Sequence, residues 1–398
     1  MSSAWGFLFH PCHIVLYLRG MVAAVKKGLI VKAVIIGSLA IMIYLLMIFA
    51  GYPRLVERYY SEGLYPAVCF ILHPFFNIFP FSVGDILYLL VIAYLIYVVV
   101  TLVKLLLKGR FADAFTRLLA ITIRILAAVL IFYLFWGMNY FRPSAGERLD
   151  LKDTTFSTAA LKAVTEMLID SANTTRARLT QADLLQNNGT IYHTAEEAIR
   201  KLSADSEKFR TFHPGVKPSL LSPLLNYFGT SGYMNPFTGE AQINYMIPVF
   251  TRPVTACHEL SHQMGYGPED EANFIGFLAG VNSKDRLLQY SAYYLAVGEF
   301  MRTLYFRDSL VNKSLRPRIS PEVHHDFAKE RAYWVSYQSI AETISGIFYD
   351  HFLKANNQPQ GIDTYNRMIL LVMAKYSKSV LPDSSIKANV GRDQRTTP

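Results

Sequence analysis

Two stretches of this chain, Ala33–Ala50 and Ile86–Val103, run for eighteen residues each without a charged side chain. Helices of that length rise through most of the hydrocarbon of a bilayer, and lipid offers no partner to an unpaired peptide group, so the backbone there must be helical. A third run, Ile125–Trp136, reaches back past Arg124 to Leu118 and on to Met138. We read transmembrane helices at about 33–50, 86–103 and 118–138. Tyr65–Phe81 is also apolar, but Pro66, Pro74 and Pro80 interrupt it. It suits a segment lying at the bilayer interface or dipping into it better than a span.

The charges orient these spans. Residues 1–139 hold 11 of the 39 Lys/Arg but only 4 of the 30 Asp/Glu, leaving a near balance of 28 against 26 in the rest. The basic excess flanks the first span on its N-terminal side (Arg19, Lys26, Lys27, Lys32) and follows the second (Lys104, Lys108, Arg110, Arg117). Positive-inside asymmetry then places both in the cytoplasm, and a third crossing carries residues 140–398 to the non-cytoplasmic side of the plasma membrane (the inner membrane, if the cell is a bacterium). The same distribution argues against nucleic acid as a partner, since no basic stripe with interleaved aromatics occurs. Residues 1–28 read as a short amphipathic lead-in and not as a cleaved signal peptide. Cys12, Cys69 and Cys257 provide no disulfide framework, and Cys257 reads as a buried free thiol.

After Tyr140 the pattern changes. Pro143, Ser144 and Gly146 mark a linker, and charged residues return at helical spacing. Leu161–Asn173 and Ala195–Phe212 read as amphipathic helices, with a turn at Asn187-Asn188-Gly189 and a loop over Lys217–Pro223. Gly232–Pro248 has aromatic and β-branched residues around Pro236-Phe237-Thr238-Gly239, as in a hairpin or an edge strand. An edge strand of this kind can take up an extended peptide by backbone pairing. Helices dominate from Val254 to Lys375, and residues 378–398 are expected to be disordered.

The chemistry concentrates at His258-Glu259-Leu260-Ser261-His262. On a helix, positions i and i+4 share a face, so both imidazoles can reach one ion, while the adjacent Glu259 is placed to serve as general base. Zinc in such a site lowers the pKa of a water, and the carboxylate accepts its proton. Pro253 suits the helix start, and Gly265 and Gly267 end it. A third ligand is required. Pro268 followed by Glu269, Asp270 and Glu271 is a second helix start, folded back beside His262, and it offers three carboxylates. Glu299 and Glu342 are more distant alternatives. A transition-state oxyanion also needs a donor, for which Tyr233, Tyr290, Tyr294, His324 and His325 are candidates.

Glu269-Asp270-Glu271-Ala272-Asn273 resembles the Glu-x-x-Ala-Asp or Glu-x-x-Ala-Asn signature of the gluzincins, including membrane heat-shock and prenyl-protein endopeptidases. That resemblance implies Glu269 as third ligand and Asn273 as its partner one turn on, with Glu271 as the rival because the gap from His262 is short. A metzincin is excluded, since its third histidine would fall at Pro268. A wider likeness runs through Trp136–Tyr140, Tyr233–Ala241, Cys257–Gln263 and Glu269–Phe274. Along these segments the chain resembles the bacterial membrane proteins of domain-of-unknown-function family 3810.

The expected architecture is therefore a mainly α membrane protein: three N-terminal transmembrane helices in residues 1–139, a mostly helical, zincin-like domain in 140–377 with a small β-hairpin or edge strand, and a tail. The expected activity is that of a membrane-anchored Zn2+ endopeptidase with Glu259 as base and His258, His262 and Glu269 (or Glu271) on the metal, its partners being the lipid bilayer and a peptide or protein. The alternative is a non-catalytic membrane sensor or scaffold with a structural zinc.

Overall fold

The structure, a computed structural model, describes residues 11–151 and 155–380. Part of the amphipathic lead-in (residues 1–10) and most of the polar tail (residues 381–398) lie outside the described residues. The chain forms two compact units. One comprises residues up to Gly51 together with Leu89–Leu134; the other comprises Tyr52–Tyr88 together with Phe135 to the C-terminus.

The first unit is built from three long apolar helices: α1 (Pro11–Ala50), α3 (Val83–Leu107) and α4 (Phe111–Phe135), numbered in chain order around a shorter α2 introduced below. Segments Lys27–Ala50, Val83–Leu107 and Phe111–Phe135 are each long and apolar enough to cross a bilayer. Residues 11–28 continue α1 without a break. Arg124, the awkward charge of the third span, donates to the Tyr94 hydroxyl on α3 at 2.6 Å and lies over its ring. A polar partner from a neighbouring helix is the usual way such a group is accommodated. The third helix begins and ends earlier than its sequence suggested. It stops at Phe135, because Trp136 leaves helical geometry (φ −154°) and Gly137–Phe141 tighten into a 3-10 turn belonging to the second unit.

The second unit is assembled from two stretches of sequence, Tyr52–Tyr88 and Phe135 onward. After a π-helical stretch, Val56–Leu64, comes α2 (Tyr65–Asn77). The interface-lying or dipping segment of the sequence reading is thus a helix whose Tyr65, Cys69 and His73, at i, i+4 and i+8, face inward. The main body contains α5 (Thr158–Ala177), α6 (Asn188–Asp205), α7 (Arg252–Gln263), α8 (Glu269–Val281), α9 (Arg286–Arg307), α10 (Pro321–Tyr337), α11 (Ile340–Ala355) and α12 (Met368–Val380). The asparagine-rich turn signal at 187–189 proves to be a helix start: the Asn187 side chain accepts from the Thr190 amide at 3.0 Å. A continuous core runs through Leu161, Leu168, Ile199, Phe274, Phe277 and Phe300.

A three-stranded sheet flanks α7. Its order is β1 (Val216–Pro218), β3 (Ala241–Ile243), β2 (Gly232–Met234), with β1 parallel and β2 antiparallel to β3. The hairpin expected around Pro236–Gly239 is present, closed by the Asn235 amide on the Glu240 carbonyl (2.8 Å), with Gly239 at φ +70°. The loop expected at Lys217–Pro223 instead opens with β1. A lysine in a buried strand is not a strand signal, but Lys217 is paired with Glu240 at 2.6 Å and also donates to the Phe76 and Phe81 carbonyls.

Candidate metal centre

Helix α7 carries the histidines at its C-terminal end and packs closely against α8. The close approach depends on Gly276: a Cβ there would lie 3.1 Å from the His258 amide nitrogen. Between the helices, Gly265 takes φ +80°, ending α7 as a left-handed residue does. The fold-back brings the first turn of α8 to the His face. His258 Nε2, His262 Nε2 and Glu269 Oε2 converge, at 3.2 Å for the two imidazoles, 3.2 Å from His258 to Glu269, and 3.5 Å from His262 to Glu269. All three residues are buried. Ligands held at zinc bond lengths in a tetrahedron are about 3.3 Å apart, so the donor set fits a single ion.

The outer nitrogens of both rings are occupied. His258 Nδ1–H donates to Asn273 Oδ1 at 2.8 Å, and His262 Nδ1–H donates to the Tyr266 carbonyl at 2.7 Å. Those bonds fix the tautomer that leaves Nε2 free to ligate. Asn273, expected beside Glu269, thus meets His258. Glu269 is held by the Tyr349 hydroxyl, which donates to its Oε1 at 2.7 Å. Buried among these groups, Glu269 would be pushed up, but the charges and hydrogen bonds of His262 and His258 outweigh burial and hold it well below the usual carboxylate range. Glu271 faces elsewhere. Its carboxylate accepts from the Ala145 amide (2.6 Å) and pairs with Arg148 (2.8 Å).

Glu259 is 4 % exposed, and its Oε2 has no hydrogen-bond partner among the described residues. Burial first, then the Glu269 charge, pushes its pKa up to about 7 against the opposing pull of His258 and His262. It opens onto a cleft of ≈ 510 Å³ that also exposes His258 and is bounded by Gly232 and Tyr233 of β2. β2 is an edge strand. Gly232 has no room for a side chain, because a Cβ would come within 2.9 Å of Glu259 Oε1.

The other sequence candidates separate. Tyr233 and Tyr294 line the cleft, but their hydroxyls donate to Asp85 and Glu330. Tyr290 donates to Asp326, His324 faces the Arg316 carbonyl, and His325 is exposed. Glu299 lines the cleft outside the three-residue cluster, and Glu342 is in the first turn of α11. Cys257 is buried and free, its thiol pushed up by burial.

Sequence reasoning missed the groups around the end of α7. A helix leaves its last carbonyls without partners. Here Trp136 Nε1 donates to the His262 carbonyl (2.9 Å), the Tyr65 hydroxyl to that of Gln263 (2.9 Å), and Arg142 to that of Gly265 (2.9 Å). Arg142 in turn makes a two-pronged pair with Glu57 at 2.6 and 2.7 Å. The only sequence signal was the unusual Trp136–Tyr140 run itself.

Residues 60–373 match the family model described as a protein of unknown function, DUF3810. The chain belongs to this family. No curated protein and no solved structure matches the chain. The family match spans α2, the membrane helices α3 and α4, the Trp136–Tyr140 turn and the whole α7–α8 site, and of the groups just described only Glu57 falls outside it.

Proposed function

We propose that this family member is a membrane-anchored zinc metallopeptidase acting on the non-cytoplasmic side. The observation that carries the reading is the convergence of His258, His262 and Glu269 beside a Glu259 carboxylate that is buried, unpaired and open to a cleft. Three protein ligands suit a catalytic zinc, whereas a structural site is closed by four. A bound zinc would supply Lewis acidity, polarising a water and the scissile carbonyl.

The chain supplies the rest. Glu259 Oε2 accepts the proton of the attacking water and returns it to the leaving amine, a role for which a carboxyl near neutral pKa is suited. An extended peptide can add along the free edge of β2, which places its backbone beside Glu259. Tyr349 lines the cleft, and its hydroxyl holds the Glu269 carboxylate in place for the ion.

Location is part of the reading. Tyr52–Tyr88 and the C-terminal region fold into one body although two long apolar helices lie between them in sequence. If α1 and α3 cross the bilayer, α4 must cross too, and the basic flanks then assign the second unit to the outer side.

The test uses the full chain in detergent. One equivalent of zinc per chain is expected by elemental analysis, and it should be lost in His262→Ala. Glu259→Gln should keep the metal and lose cleavage of a quenched-fluorescence peptide library by about 10²–10⁴-fold, the usual scale for a general base. Cleavage at the native rate by Glu259→Gln would overturn the mechanism.

A further inference from the structure

Part of the cleft wall is built by α9 and α10. Tyr294 and Phe327 stack there with centroids 4.4 Å apart, and Trp334 lies beside them. Two carboxylates stand among these rings. Glu330 is answered, because the Tyr294 hydroxyl donates to it at 2.5 Å. Glu299 is not: its Oε2 is buried without a hydrogen-bond partner among the described residues. Burial pushes its pKa up to about 7, and the counter-charge pulling the other way is Arg302, one turn on and exposed to solvent. No lysine or arginine lines the cleft among the described residues. There is also room, since a Cβ on Gly346, on the same lining, would meet nothing within 4 Å.

A buried carboxylate oxygen left unpaired is costly, and such a group is kept where a ligand completes it. Aromatic faces beside it attract a cation and cover its aliphatic stem. Taking the peptidase reading for the kind of molecule bound, we propose that this wall is a specificity subsite for a cationic side chain, arginine or lysine, of a peptide, with Glu299 receiving the charge. The rings of Phe327 and Trp334 hold the stem, and the Glu299 carboxylate accepts charge-assisted hydrogen bonds from the head group.

Binding tests this apart from catalysis. Zinc-loaded, full-length Glu259→Gln protein is titrated with two dye-labelled hexapeptide libraries that differ at one fixed central residue, arginine or its neutral isostere citrulline, and affinity is read by fluorescence anisotropy. The arginine library is expected to bind on the order of tenfold tighter or more, as a charge-assisted pair in a sheltered site should. Adding Glu299→Gln, which removes an unpaired buried charge and so leaves the fold intact, should bring the two libraries within about twofold, and Glu299→Lys should favour a glutamate-centred library. Equal affinities in the Glu259→Gln parent, an arginine advantage untouched by Glu299→Gln, or no binding of either library would overturn the subsite. Arginine-selective binding without cleavage of that library by the unaltered protein would count against the peptidase reading alone.

Discussion

The α7–α8 hairpin and the collar around its base are built on opposite plans. In the hairpin, the candidate ligands and the groups bonded to their outer nitrogens come from within residues 258–273, while Tyr349 on Glu269 and the Trp136 ring on His262 reach in from outside. In the collar, the partners are far apart in sequence: Tyr65 reaches Gln263 across 198 positions, Trp136 reaches His262 across 126, and Arg142 reaches Gly265 across 123. The hairpin carries reactive groups that must be presented together. The collar carries none, and satisfies backbone carbonyls that the hairpin cannot satisfy itself. The candidate ligands are local in sequence, and their support comes from distant segments of the second unit, around Tyr65 and Trp136–Arg142. Changes in the hairpin should therefore cost metal or turnover with little loss of stability, whereas changes in the collar should do the reverse.

The sharpest way to break that division is Arg142→Ala. The guanidinium is only 9 % exposed and its Glu57 partner 18 %. Its removal strands a mostly buried carboxylate and frees the Gly265 carbonyl, which costs about 3–5 kcal/mol in comparable pairs. Thermal unfolding in detergent should show the loss, while zinc content at low temperature stays at one equivalent. Loss of zinc without loss of stability would erase the distinction. The pH dependence adds a sign. Burial pushes Glu57 up, but the hydrogen bond and charge of Arg142 outweigh it, so the folded-state value lies below the ordinary 4.5. A depressed carboxylate contributes stability that is present above 4.5 and lost as pH falls through the folded value. The gap between native protein and Arg142→Ala should therefore be widest near neutrality, where the stranded Glu57 is charged, and narrow as pH falls.

The same contrast explains what could be read in advance. Spans, hairpin turn, motif helix and the fold-back at Gly265 all rest on periodicity or on residues with one conformational use, and these are legible in a single chain. The collar rests on which distant side chain meets which carbonyl, and no spacing encodes that. The same limit hid the contact of Asn273 with His258: one turn along α8 it faces both α7 and its own first turn, and packing across Gly276 brings it to His258. Apolarity alone carried the expected third span on to Met138, whereas Trp136 and Met138 are buried in the second unit.

Glu269 and Glu271 put the comparison within two residues of one helix. Glu269 belongs to the hairpin's chemistry. Glu271 belongs to the collar, through Ala145 and the sheltered Arg148, whose side chain is 9 % exposed. Glu269→Gln should abolish zinc binding at micromolar metal with a modest change in melting temperature. Glu271→Gln should retain zinc and lose about 2–3 kcal/mol of stability, as when a charged hydrogen-bond partner is removed from a buried site. Zinc loss in Glu271→Gln but not in Glu269→Gln would reverse the assignment of the third ligand.

The smallest expected effect probes the seam between the two plans. Trp136 touches the hairpin twice, by its Nε1–H on the His262 carbonyl and by an edge-to-face contact with the His262 ring at 5.8 Å. Trp136→Phe keeps an aromatic face and removes the donor. The His262 carbonyl would retain only the long Tyr65 contact at 3.4 Å beyond its bonds within the helix turn. A lost neutral hydrogen bond of this kind costs about 1 kcal/mol, so the melting temperature should fall slightly. If the collar is support alone, zinc affinity should be unchanged. A tenfold weaker affinity would mean that Trp136 orients the His262 imidazole through its backbone, and the collar would then be part of the metal site.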